Sequence, residues 1–258
     1  MRDMASINMA QYIINNYKFK KTHDIFDDNP IYVKNNVSLL QTSQELLYLN
    51  EPRFNPDAYI FLSCHKSKSG TPSLTAHFPG NFSKINSFGG APSDLAHTYP
   101  SLHKQYFNQL NQLKNKVIGY SIVTEPMHHG PTSFSKPVLF IEIGSSETQW
   151  KDNIAIETVC DAIMKTIENI YLEAKISIGF GGPHYSEKFT KFIINSDYAL
   201  GAIMPKHALS NINQSILNQM INRSIEKVSY ALLDWKGINN KEEVVSLIDS
   251  AGLKIVKI

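Results

Sequence analysis

Val138-Leu139-Phe140-Ile141-Glu142-Ile143, followed at once by Gly144-Ser145-Ser146-Glu147-Thr148-Gln149-Trp150, decides the fold class. The first run is apolar at nearly every position. Successive side chains of a strand point to opposite sides, so such a run suits a strand covered on both faces. Beyond it the period changes. Ser146 and Gln149 have the spacing of a capping box. Ile156, Val159, Ile163, Ile167 and Ile170 then recur at three- and four-residue steps, which predicts one helix over Glu147 to Tyr171. A buried strand feeding a long amphipathic helix is the repeating unit of an α/β protein.

The same grammar extends in both directions. Short apolar runs predict strands at Ala58 to Cys64, Val117 to Thr124, Ile176 to Phe180, Ala199 to Met204, Val228 to Leu233 and Leu253 to Val256. Helices are predicted at Ile7 to Tyr17, Leu102 to Lys114, Glu187 to Ile194 and Glu242 to Ala251. The expectation is one domain spanning residues 1–258, a three-layer α/β/α sandwich on a mixed, mostly parallel sheet. One segment resists both periods. His65 to Pro100 carries four glycines and four prolines after its first residues, and it reads as a long loop. Ordered loops of that length are commonly functional.

Bulk properties narrow the function. With 258 residues, 42% hydrophobic and 19% charged, the chain has the composition of a globular protein, not a disordered or fibrous one. A net charge of +2 permits an anionic partner without demanding one. Cys64 and Cys160 form no CxxC pair and read as reduced, buried residues. No apolar run reaches the ~20 residues of a membrane span. Met1-Arg2-Asp3-Met4 lacks a signal-peptide core, so a cytoplasmic location is expected, with no membrane partner.

The histidines sit where strands end. His65 follows the first predicted strand, His77 lies in the long segment, and His128-His129 follow the strand ending at Thr124. His184 follows Gly181-Gly182-Pro183, past another strand, and Glu142 ends the strand quoted first. Ligand sites of α/β sheets lie beyond the carboxyl ends of strands. If these strands are parallel, their His and Glu converge on one edge, as a metal or acid/base site requires. A regular strand would aim His128 and His129 to opposite sides. Pro126 and Gly130-Pro131 predict a turn instead, with one ring free to coordinate and the other to meet substrate. Glu125 and Glu142 are the candidate carboxylates; a glutamate between Ile141 and Ile143 is costly unless paired. The hydroxyls, lysines and glycine of Ser63 to Ser73 suit a phosphate or carboxylate, although no Walker order is present. HExxH and GxSxG motifs are absent.

These segments resemble the D-aminoacyl-tRNA deacylases of the archaeal and plant type. The resemblance runs through Cys64 to His77 with Pro79-Gly80-Asn81, then Glu125 to Thr132, Lys136 to Trp150, Gly181 to Tyr185 with Lys188-Phe189-Thr190, and Pro205-Lys206. It spans nearly the whole chain. It implies a phosphorylase/hydrolase-like fold and a zinc-dependent hydrolase of the ester between a D-amino acid and the tRNA 3′ end. On that reading Glu125, His129 and His65 are the catalytic candidates. Zn²⁺ would be drawn to His77, His128, Glu142 and His184, with His65 and His129 as further possible ligands. Lys66, Ser67, Lys68, Gly70, Thr71, Lys136, Gly181 and Gly182 would contact substrate, the lysines through tRNA phosphates and the loop amides near Gly70 or Gly181 through the oxyanion. No stable protein partner is implied; a monomer or small homo-oligomer is expected. The pattern departs from the family twice. Relatives open with a short strand before the segment matching Asp3 to Ser6, where only Met1-Arg2 stand here, so that strand is absent or the start is misassigned. Pro183 stands where many relatives have a residue with an amide donor. The alternatives are a zinc peptidase or amidase on small substrates and a non-catalytic tRNA-binding protein.

Overall fold

The computed structural model describes residues 3–68, 70–169 and 173–258. Strand β7 (Val138–Ser145) is buried along its whole length, as its apolar run predicts. It pairs in parallel with β4 (Tyr59–Lys66) and antiparallel with β5 (Ser73–His77), which pairs in parallel with β6 (Ser121–Thr124). A second sheet is all parallel, in the order β11 (Lys254–Lys257), β10 (Tyr230–Leu233), β8 (Lys175–Phe180), β9 (Tyr198–Met204). Just past β6, the Met127 N–H donates to the Ile203 carbonyl of β9 at 3.0 Å and joins the two sheets. The result is the expected α/β sandwich on mixed, mostly parallel sheets.

Helices α1 (Met4–Asn16) and α2 (Pro100–Gln112) each pack on α4 (Asn153–Glu168), with α1 also against β4 and α2 against β9. α5 (Glu187–Ile194) packs on β6 and β9, α6 (Gln214–Asn222) on β9, and α7 (Lys241–Ser250) on β11. One large apolar cluster joins these layers, and a smaller one, with Phe61, Phe134, Val138 and Phe140, lies on the face of β4 and β7 that carries Phe61 and Phe140.

Four differences from the sequence reading have clear causes. The helix predicted from Glu147 begins as a short turn, α3 (Glu147–Trp150), capped by Gln149, whose Oε1 accepts from the Ser146 amide at 3.1 Å. It then breaks, because the Asp152 carboxylate caps α4 by accepting from the Ile154 and Ala155 amides. The far end of the predicted helix, at Ile170 and Tyr171, lies outside the described residues. Val117 to Tyr120 is a turn, so β6 is only its last four predicted residues. β5 sits inside the segment read as loop, and a meander of β1 (Lys20–Phe26), β2 (Asn29–Lys34) and β3 (Val37–Leu39) was not predicted. Its first strand is mostly exposed, and its turn holds Asp27 and Asp28 at positive φ (48° and 60°), the conformation of a two-residue hairpin loop. Met1 and Arg2, bearing on the question of an opening strand, also lie outside the described residues.

Candidate active site

The candidate site lies on a face of the mixed sheet and not along one edge. Alternation along β7 places Phe140, Glu142 and Gly144 on that face. The register sets Ser63 and Thr75 opposite Glu142, His65 and Ser73 opposite Gly144, and His77 opposite Phe140. Because β5 runs against β7, the carboxyl ends of β4 and β5 bring His65 and His77 in from opposite ends of β7. Glu142 is therefore in the middle of its strand, not at its end. Gly144 makes room for the His65 ring: a Cβ there would lie 2.8 Å from the His65 Cβ.

The exits of β6 and β8 fold over this face. Glu125 follows β6 directly and is 1% exposed. Its Oε2 lies 3.0 Å from His184 Nε2 and 3.5 Å from His128 Nε2, and its Oε1 lies 3.3 Å from His65 Nδ1. Neither oxygen has a well-aligned hydrogen bond, and three imidazoles lie within 3.5 Å of this buried carboxylate. His65 Nδ1 also meets Glu142 Oε2 at 3.2 Å, and its Nε2 meets the Tyr185 hydroxyl at 2.7 Å.

The predicted turn brings both of its histidines inward. His129 adopts φ +52°, which reverses the chain where a strand would have separated the two rings. The His129 carbonyl accepts from the Gly80 amide at 2.8 Å, and the Gly130 amide donates to the Phe88 carbonyl at 2.9 Å. His77 then stacks between Phe140 (5.4 Å between centroids, 12° between planes) and His128 (4.2 Å, 22°). His77 Nε2 lies 3.0 Å from His129 Nε2.

Hydrogen bonds at the far nitrogens set the tautomers. His128 Nδ1 faces the Pro126 carbonyl at 2.8 Å and His129 Nδ1 the Gly130 carbonyl at 2.6 Å. A carbonyl only accepts, so both Nδ1 atoms carry the proton and both Nε2 atoms present a lone pair. This is the arrangement that orients imidazoles towards a metal.

Burial dominates the electrostatics. It pushes His77 well below the ordinary imidazole range, and the neighbouring rings of His128 and His129 push it further. His129 is pushed down to about 3, by burial and then by His128. Burial raises Glu142, and the charge of Glu125 adds to the rise. Burial would raise Glu125 too, but His184, with His128 and His65, outweighs it and holds this carboxyl below the usual range. For His65 burial acts downward, yet Glu142 and Glu125 raise it overall.

The donor chemistry fits a zinc-like cation. Neutral imidazoles and carboxylates are its usual ligands. Single ligand atoms of His77, His128 and His129 lie within 4.8 Å of one another, as do those of His65, Glu125 and His184, and those of His77, Glu125 and Glu142. The His77–His129 contact needs a proton or a cation between two nitrogens, and His77 Nδ1 is buried with no hydrogen bond.

Residues 52–256 match the family model described as D-aminoacyl-tRNA deacylase. The chain belongs to the D-aminoacyl-tRNA deacylase family. It is 35% identical over 266 aligned positions to the D-aminoacyl-tRNA deacylase of Pyrococcus abyssi, covering 99% of this chain and 96% of that one. With the protein of that name from Methanococcus vannielii it shares 39% identity over 195 positions, 72% of this chain and 75% of that one. A crystal structure described as a conserved protein of unknown function has the same fold, with a TM-score of 0.91 at 27% identity, covering 99% of this chain and 92% of that one. The resemblance read from sequence is thus a family membership, and the family is one of ester hydrolases.

Within this deacylase-family site the seven expected catalytic and metal-binding residues form one connected cluster. The four expected metal ligands are spread over three donor groups, and His129, expected to be catalytic, shares a group with His77 and His128. The expected substrate contacts lie further out. Lys66 ends β4 beside His65, its ammonium 5.7 Å from the Trp150 ring centroid. Ser67, Lys68, Gly70 and Thr71 form the turn between β4 and β5, and Lys136 is half-buried ahead of β7. The Gly70 and Gly181 amides are already engaged, donating to Ser67 (3.2 Å) and Met204 (2.9 Å), which removes both from an oxyanion role. Gly182 and Pro183, with Lys206 and Asp234, line an open cleft of about 610 Å³ whose walls include none of the seven clustered residues. Tyr185 belongs to the resemblance, and the sequence alone assigns it no role. Its place beside His184 was legible; its reach to His65 was not. Among the described residues no helix is long and apolar enough to cross a membrane.

Proposed function

We propose that the chain hydrolyses the ester of D-aminoacyl-tRNA, releasing the D-amino acid and tRNA, with zinc bound at the histidine cluster. The observation that carries this reading is the buried Glu125 carboxylate ringed by His65, His128 and His184, adjoining the His77–His128–His129 group. Family membership supplies the substrate and favours an ester hydrolase over a peptidase or a passive binder.

His77, His128 and His129 would hold the ion through their inward-facing nitrogens. Zinc bound there would lower the pKa of a coordinated water to about 7 and polarise the ester carbonyl. Glu125 takes a proton as the water oxygen bonds to the carbonyl carbon. The bond from that carbon to the ribose oxygen breaks, and the departing oxygen is protonated from His184 or His65, both within 3.3 Å of Glu125. Tyr185 orients His65, and Glu142 holds its other nitrogen. The cleft lined by Gly182 and Pro183 gives the aminoacyl group room, and Lys66, Lys68 and Lys136 meet tRNA phosphates. The reaction takes place on cytoplasmic tRNA.

The test is deacylation of D-Tyr-tRNA after chelation and after zinc is added back. Activity lost and then restored is expected; full activity in metal-free enzyme overturns the zinc assignment.

A further inference from the structure

We propose that the braced segment of residues 83–90, together with Tyr48, is a stacking surface for the unpaired 3′-terminal bases of the tRNA. The inference rests on the deacylase reading above. Ile85 is 75% exposed, Phe88 68% and Tyr48 57%. Single exposed apolar side chains are ordinary, but these three share one ridge: the Tyr48 hydroxyl reaches the Ser87 carbonyl at 3.3 Å.

The ridge is built to hold its shape. The Asn81 amide nitrogen donates to the Gly89 and Ala91 carbonyls (2.9 and 3.1 Å), and that of Asn86 to the Gly90 carbonyl (2.9 Å). The Ala91 amide donates to Thr132 Oγ1 at 2.9 Å, and the Ser93 amide to the Ser83 carbonyl at 2.8 Å. Polar groups tie the segment to the body while its large apolar groups face water. A segment serving only to pack would turn those groups inward.

The ridge is also continuous with the candidate site. The Phe88 carbonyl accepts the Gly130 amide, one residue from the His129 ring. The ester sits on the terminal ribose, so the terminal bases must pass close to the reacting centre. Unpaired bases bind proteins by stacking on exposed aromatics beside a positive charge, and Lys84 is exposed on the same ridge. Stacking tolerates any tRNA, because every base has a π-face.

The test compares wild type, Phe88→Ala, Tyr48→Ala and Phe88→Trp. Anisotropy measures binding of labelled, uncharged tRNA with an intact 3′ end and of the same tRNA shortened by three nucleotides. Wild type is expected to prefer the intact end by roughly tenfold. Phe88→Ala and Tyr48→Ala should each reduce that preference and leave the affinity for shortened tRNA unchanged; Phe88→Trp should keep it. For D-aminoacyl-tRNA hydrolysis, KM should rise with the lost preference while kcat holds. Melting temperatures of the variants check that they fold. An undiminished preference in both alanine variants overturns the inference, as does light scattering that shows a wild-type dimer split by Phe88→Ala, which would make the ridge a protein contact. End-dependent, Phe88-dependent binding by an enzyme that fails to hydrolyse D-aminoacyl-tRNA would overturn the function reading and leave this inference standing.

Discussion

Gly130→Ala tests whether close backbone contact is what sets the histidine pair. A Cβ at Gly130 would lie 2.2 Å from the Gly90 nitrogen, 2.5 Å from the Gly89 carbonyl carbon and 2.6 Å from the Leu47 carbonyl oxygen. All three are backbone atoms, so no side chain can rotate away. Reaching even 3.0 Å from the Gly90 nitrogen requires a shift of about 0.8 Å between the two segments. That shift strains the Gly130 amide bond to Phe88 and moves the neighbouring His129 relative to His77. Overpacking costs about 1–3 kcal/mol and a lost hydrogen bond about 1 more. For a chain of this size that is a melting decrease of about 4–8 °C. A catalytic group displaced by about 1 Å costs on the order of 100-fold in rate. Gly252→Ala is the control: its φ is +71° and nothing lies within 4 Å of the added Cβ. It should cost about 1 kcal/mol of left-handed strain and leave kcat alone. The assays are calorimetric melting and single-turnover deacylation. A Gly130→Ala enzyme with wild-type melting and rate would refute the reasoning, since the three contacts would then exert no constraint.

His77→Phe keeps the stack on Phe140 and removes the ring nitrogens; zinc affinity by calorimetry should fall at least ~100-fold, with melting in chelator within a few degrees of wild type. Lys104, buried, donates to the Ile193 and Ser196 carbonyls behind α5, and burial pushes its pKa down to about 8. An unfolded lysine holds its proton to about 10.4. Over that interval the unfolded chain binds more protons, so this residue's contribution is flat below pH 8 and rises above it. The rise is at most roughly 3 kcal/mol, less what the carbonyls gain from the ammonium. Urea denaturation should show it in wild type and not in Lys104→Met.

The layered core was readable because burial on both faces leaves unbroken apolar runs, as at Val138 to Ile143. β5 was not, because only Leu74 and Ala76 face the apolar side; Ser73, Thr75 and His77 face the site, and polar residues between Pro72 and Pro79 look like loop. The site's residue types were legible: His65, His77, Glu125, His128, His129, Glu142 and His184 were all singled out, and all are in the cluster. Its layout was not. Convergence on one carboxyl edge assumes parallel strands, and the antiparallel β5 turns that edge into a face. The inward aim of both His128 and His129 depends on one positive φ, which is uncommon for any residue but glycine and leaves no mark in the sequence. The engagement of the Gly70 and Gly181 amides was equally invisible, since glycine in sequence marks permissive backbone and says nothing of where its N–H points.

Glu125→Gln, with zinc content and rate measured on the same sample, separates the two ways the cluster can divide its work. A dication among three neutral imidazoles keeps its full charge in a buried site and needs an anion nearby, though not as a ligand. Glu125 Oε2, 3.5 Å from His128 Nε2, is placed to be that anion. The amide of glutamine can still hydrogen-bond, so packing around residue 125 survives. If His77, His128 and His129 hold the ion, Glu125→Gln weakens zinc binding modestly, and saturating zinc restores occupancy. The rate nevertheless falls by ~100-fold or more, because the variant has no carboxylate to take the proton. Occupancy restored with the rate still lost is the expected result. A rate that returns in step with zinc would refute the assignment of Glu125 as base: the carboxylate would then act only by holding the ion with His65 and His184, and the proton would have to pass to His129.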